Sequence, residues 1–184
     1  MLFRSSNICT SQVLLAVTAA MYAAYHGPEG LTDIAEHAHD MSRTIASELT
    51  ERGVEPVAEA FFDTVQIRVP GKANEVVDAA RAKGINLRLV DADTVGISTD
   101  ETTTAQDVAA VIHAFEVAGT LGGNASKTAV SGLGLPVGLR RTSPFLAHPI
   151  FHDNRSETQM MRYLRRLSDR DLALDRTMIP LGSC

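Results

Sequence analysis

Apolar residues recur at three- and four-residue spacing through the first fifty positions. Val13, Leu14, Val17, Met21 and Ala24 predict a largely apolar helix. Thr10 or Ser11 is placed to cap it by accepting a bond from a free backbone amide. Gly27 and Pro28 end it, because glycine takes a left-handed turn and proline cannot continue the hydrogen-bond ladder. Pro28 also suits the first turn of a second helix, with Leu31, Ile34, Ala38, Met41, Ile45 and Leu49 on its apolar face. Gly53 closes that helix.

The period then drops to two. In "FFDTVQIRVP", Val65, Ile67 and Val69 alternate with Thr64, Gln66 and Arg68, which predicts a strand with one wet face. "GKANEVVDAARAKG" reads as a short helix ending at Gly84. "INLRLV" and "TVGIST" read as two strands joined by a turn at Asp91-Ala92-Asp93. Thr103 and Gln106 have capping-box spacing ahead of a helix that turns Val108, Val111, Ile112 and Phe115 inward. From Gly119 to Gly138 the periodicity disappears and six glycines fall in twenty residues, the signature of a linker. Pro144 and Pro149 keep the chain extended beyond it. Ser156 and Gln159 then open a helix to about Leu167, with Met160, Leu164 and Leu167 on one side. The last stretch runs irregularly to Pro180-Leu181-Gly182-Ser183-Cys184. The predicted order helix–helix–β–α–β–β–α, with helices on one side of an antiparallel sheet, is an α+β class.

Composition sharpens this outline. Hydrophobic residues make up 45% of the 184 and charged ones 21%, so the chain can bury a core. The net charge of −5 argues against a nucleic-acid partner. Residues 1–135 hold 9 basic and 17 acidic side chains, whereas residues 136–184 hold 8 and 5. That contrast fits two pieces of different allegiance, or simply a solvated arginine-rich helix face. Two cysteines, Cys9 and Cys184, with no CxxC between them, predict a reducing compartment. The apolar run at residues 13–24 is too short for a membrane span and lacks the basic start of a signal peptide, so a cytoplasmic location is expected.

No complete catalytic constellation emerges from the residues alone. Neither GxGxxG after a strand nor GxxxxGK[ST] is present, which leaves phosphate-loop nucleotide binding without support. His37 and His39 are two apart on a helix and read as solvated surface histidines rather than a metal pair. His148 and His152 are four apart, but Pro149 denies them a regular helix, and no metal site is expected. Cys9 as a nucleophile would need a base such as His26 or His113. A buried inert thiol, with some oxidation sensitivity from the helix dipole, is the alternative. Asp100 and Glu101 in "DETTT" are explained as acids at a helix start. Arg140, Arg141, Arg162, Arg165 and Arg166 suit a carboxylate or phosphate, or remain solvated.

Four long stretches, "SNICTSQVLLAVTAAMYAAYHGPEGL", "FDTVQIRV", "KGINLRLVDADTVGISTDETTT" and "LAHPIFHDNRSETQMMRYLRRLSDRDLALDRTMIPLGSC", carry a resemblance that runs from Ser6 to Cys184. In order and spacing they resemble the P-protein family of glycine decarboxylases, the pyridoxal-phosphate subunit of the glycine cleavage system. The resemblance implies two related halves, each built like a fold-type-I pyridoxal-phosphate-dependent transferase, with the cofactor lysine in the second half only. It places residues 1–118 as the small C-terminal domain of the first half, 119–138 as a linker, and 139–184 as the start of the second half. Residues 1–4 depart from the family pattern, and both ends are expected to be cut, leaving an internal fragment.

The implied parent enzyme is an oxidoreductase, glycine dehydrogenase (decarboxylating). It decarboxylates glycine and passes the aminomethyl group to the lipoyl arm of the H-protein. Its implied partners are glycine, the lipoylated H-protein and the remaining P-protein halves or a second subunit, with no nucleic acid and no membrane. Ser183 and Cys184 are implied to line the cofactor and glycine pocket. Lys72, Lys83 and Lys127 sit in no matching motif, so the fragment alone is expected to be inactive. An alternative reading takes residues 61–118, which in outline resemble a small regulatory module, as an amino-acid-binding domain.

Overall fold

The computed structural model describes residues 11–122 and 134–170. They divide into two compact units, one holding residues 33–122 with 134–142 and the other residues 11–32 with 143–170. Helix α1 (Ser11–Glu51) begins in the smaller unit and ends in the larger, and it is broken at Gly27, where φ is 64° and ψ −175°. The break falls where expected. Proline at 28 forbids a helical residue before it, and only glycine adopts this combination without strain.

The larger unit is a three-stranded antiparallel sheet covered by helices. Strands β1 (Thr64–Arg68), β2 (Arg88–Asp91) and β3 (Thr94–Ser98) lie in the order β1-β3-β2, so β1 and β2 run parallel with β3 between them. Helix α2 (Ala73–Arg81) makes the crossover, and α3 (Ala105–Val117) follows β3. The alternation in β1 puts Val65 and Ile67 inside, opposite Ile97 and Val95 of β3, so the sheet's inner face is built of apolar cross-strand pairs. Onto it pack Ile45 and Leu49 of α1, Val76 and Val77 of α2, and Val111, Ile112 and Phe115 of α3. This is the α+β arrangement that the periodicity predicts.

Three local expectations need correction. The N-cap of α3 is Thr104, not Thr103, and its capping-box partner is Asp107. Thr103 is already committed: its hydroxyl donates to the Asp100 carboxylate and accepts from the Asp100 amide, closing the turn before the helix. The strand predicted at "INLRLV" starts only at Arg88, and its pairing with β3 slips between Leu89 and Asp91, as befits an exposed edge. Pro149 does not extend the chain. With φ −52° and ψ −29° it opens a one-turn helix, α4 (Ile150–Asp153), because its missing amide costs nothing at a helix start.

The acid at the α3 cap has a measurable consequence. Hydrogen bonds from the Thr104 hydroxyl and then the Thr104 amide hold the Asp107 carboxyl below the usual carboxylate range. A folded-state value below the unfolded one means that its stabilisation is complete above the ordinary pKa of about 3.9 and fades as pH falls through the folded value. Protection of the first-turn amides of α3, taken relative to intrinsic exchange at each pH, should therefore fall below about pH 4, and Asp107→Asn should flatten that response.

The smaller unit contains residues 11–32, α4, and α5 (Glu157–Ser168), whose N-cap Ser156 accepts from the Gln159 amide as the spacing predicts. Its interior is thin. Among the described residues every member of the hydrophobic core cluster lies in the larger unit, and in the smaller one Ala24 is the only apolar side chain that is buried.

Candidate functional site

Two polar clusters and one groove stand out once each side chain is followed to its partners. In the larger unit, His39 is buried, which corrects its expected place among solvated surface histidines. The ring stacks on Phe62 at 5.3 Å between centroids and 7° between planes. Its Nδ1 lies 2.8 Å from the Phe62 carbonyl, and Nε2 faces the Leu135 amide at 3.3 Å. A carbonyl accepts and an amide donates, so this pairing fixes the tautomer with hydrogen on Nδ1. Gly134 closes the cluster at φ 110°, where a Cβ would meet the His39 ring at 2.8 Å and Arg43 Cδ at 2.9 Å. Ser42 and Thr99 complete it through the Phe62 and Ala38 carbonyls respectively. With both ring nitrogens spoken for, His39 pins residues 134–135 to α1 and has no free nitrogen for acid–base work. His37 is exposed, and its Nε2 reaches the Thr103 carbonyl at 2.8 Å.

The smaller unit centres on Arg155, which the motif reading passed over. Its Nη2 donates to Glu29 and lies 3.1 Å from His152 Nδ1, while Nε donates to the Phe151 carbonyl at 3.1 Å. The guanidinium lies against Gly27 so closely that any Cβ there would overlap it. His152 is held in turn by the Leu146 carbonyl at 3.0 Å from Nε2. Glu29's own backbone amide, then Arg155, holds the Glu29 carboxyl below the usual carboxylate range. Beside them Asn154 is buried and donates to the Ile150 carbonyl. The arrangement is a clamp joining the helix break to the segment around α4. Its sequence signal was available in Gly27-Pro28-Glu29, but only the fold shows that an arginine 128 residues from Gly27 answers it.

A groove of about 250 Å³ runs between α1 and α3, lined by apolar Met41, Val108 and Ile112 and by charged Glu48, Arg52 and Glu116. Within this lining Glu48 pairs with Arg52 at 3.0 Å, and the Glu116 carboxylate lies 3.4 Å from His113 Nδ1.

The implied pocket residues Ser183 and Cys184 lie outside the described residues, as do Cys9 and Lys127. His26 packs against the Tyr22 and Tyr25 rings. Arg165 pairs with Asp169 at 3.1 Å and Arg166 sits over the Tyr163 ring at 5.7 Å. Asp100 accepts from the Thr102 hydroxyl and amide, which keeps it below the carboxylate range and in a structural role. Among the described residues no group of three or more His, Cys, Asp or Glu side chains is placed to hold a metal ion, and no helix is long and apolar enough to cross a membrane.

A small antiparallel sheet packed against helices in the larger unit, with structural clamps at His39 there and at Arg155 in the smaller unit, is the class that these observations define. Residues 4–115 match the family model described as glycine cleavage system P-protein, and the chain belongs to that family. It is 51% identical over 180 residues to a protein of Xanthomonas euvesicatoria pv. vesicatoria (strain 85-10) named glycine dehydrogenase (decarboxylating). The alignment takes in 98% of this chain and 18% of that relative's length.

Pyridoxal phosphate needs an amine for its aldehyde and donors for its phosphate. The described residues do not fit it. Lys72 is exposed and paired with Glu75 at 3.3 Å, and Lys83 is exposed at the end of α2. At the starts of α3 and α5, where a phosphate would bind, the Thr104 and Ser156 hydroxyls already accept from the Asp107 and Gln159 amides, and the Asp107 carboxylate accepts from the Thr104 amide.

Proposed function

We propose that this chain is an internal segment of a glycine-decarboxylating P-protein. Residues 1–118 form the small C-terminal domain of a first fold-type-I half, 119–138 the linker, and 139–184 the start of the second half. The observation that carries the proposal is identity of 51% sustained over 98% of the chain, against a relative more than five times as long. The whole protein decarboxylates glycine and passes the aminomethyl group to the lipoyl arm of the H-protein. Bound pyridoxal phosphate supplies the electron sink for that reaction from a lysine elsewhere in the protein. The family resemblance assigns Ser183 and Cys184, which lie outside the described residues, to the lining of the cofactor and glycine pocket. The residues described above supply scaffold: the His39 cluster fixes the linker's end, and the Arg155 clamp fixes the turn between the arms of α1. The amino-acid-binding alternative rests on the outline of residues 61–118 alone.

Exchange of labelled bicarbonate into the glycine carboxyl tests the proposal. The chain by itself should show none, and should leave the visible absorbance of added pyridoxal phosphate unchanged. The same chain supplied with the rest of a P-protein should restore exchange. Exchange catalysed by the isolated chain would overturn the reading.

A further inference from the structure

We propose that the face of α1 carrying Leu14, Leu15, Val17, Tyr22 and Tyr25 is a docking surface for the remaining P-protein polypeptide. This rests on the reading above and names the surface through which it operates. At about 100° per residue these five side chains fall on one side of the helix, within an arc of ~160°. They are 72%, 70%, 48%, 39% and 40% exposed, in that order. No Asp, Glu, Lys or Arg occurs from Ser11 to Pro28. A solvated helix carries charge on its outer face, whereas one without charge on any side belongs in an interior.

The chemistry narrows the occupant. Helices that lie in a membrane surface place Lys or Arg on their polar side, and residues 11–28 hold neither. A second copy of this chain would cover one side, but the uncharged character extends all round, which calls for enclosure by a larger body. The family relative supplies one, because this chain matches only 18% of its length. The larger unit has its own buried core and needs no such cover, whereas the smaller has Ala24 as its one buried apolar side chain among the described residues.

The test combines Leu14→Glu, Leu15→Lys and Val17→Glu in the full 184-residue chain, with Val137→Glu, at an 82%-exposed position of the larger unit, as control. Each is titrated against the parts of the Xanthomonas relative left after the matching 180 residues are removed, by analytical ultracentrifugation and recovery of glycine–bicarbonate exchange. Wild type and control should bind equally, the triple variant should bind at least tenfold more weakly, and dichroism should show the same helix content in all three. Undiminished binding by the triple variant overturns the docking surface and leaves the proposed function standing. A wild-type homodimer that those parts fail to displace, and that the triple variant abolishes, assigns the face to a second copy and overturns the proposal. Failure of wild type to bind or restore exchange overturns both readings together.

Discussion

Phe115→Ala should lower the stability of the larger unit by about 3–5 kcal/mol, the cost of removing a fully buried aromatic ring and leaving a cavity. Phe115 is 0% exposed and belongs to the cluster that joins α1, α2 and α3 to the inner face of the sheet. Domains of this size hold only about 5–15 kcal/mol in total, so the substitution removes much of the margin. Val117, two residues along the same helix, is 63% exposed, and Val117→Ala should stay within about 0.5 kcal/mol. Urea titration followed by amide exchange in β1 and β3 reads the difference. Equal midpoints for the two variants would mean that the cluster is not the core it is described to be.

Gly27→Ala should have the largest effect in the smaller unit. Two penalties coincide there. The backbone at φ 64°, ψ −175° is reserved for glycine, and forcing another residue into it costs about 1–3 kcal/mol. The new methyl would also overlap the Arg155 guanidinium and push it from Glu29. The coupling gives a stricter test than the loss itself: in an Arg155→Ala background the same glycine substitution should cost less, because the overlap is gone. All three tyrosines, Tyr22, Tyr25 and Tyr163, lie in this unit, so tyrosine fluorescence follows it without contribution from the larger one. Strictly additive costs across the cycle would show that Gly27 and Arg155 do not meet.

What was legible in the sequence was what local periodicity controls. Alternation gave β1, three- and four-residue spacing gave α1, α2, α3 and α5, and Gly27-Pro28 gave the break in α1. Each signal is written in residues close together along the chain. The misses came from competition and from distance. Thr103 and Thr104 are equally good caps by type, and only the prior engagement of Thr103 with Asp100 decides between them. His39 looks like its exposed neighbour His37 until Phe62 and Leu135 close over it from 23 and 96 positions away. Arg155 was one arginine among many in a basic tail. The pocket reading of Ser183 and Cys184 came from resemblance, and those two positions lie outside the described residues.

The strand order β1-β3-β2 has a consequence for the order of assembly on the ribosome. A nascent chain released as far as β2 holds two strands that are not neighbours in the finished sheet, with the slot between them empty. The two-residue turn lets β2 and β3 zip locally, after which β1 must be captured from some thirty residues upstream. Val65 and Ile67 thus emerge before Ile97 and Val95, their cross-strand partners, have been translated, which leaves this pairing to the last step of sheet assembly.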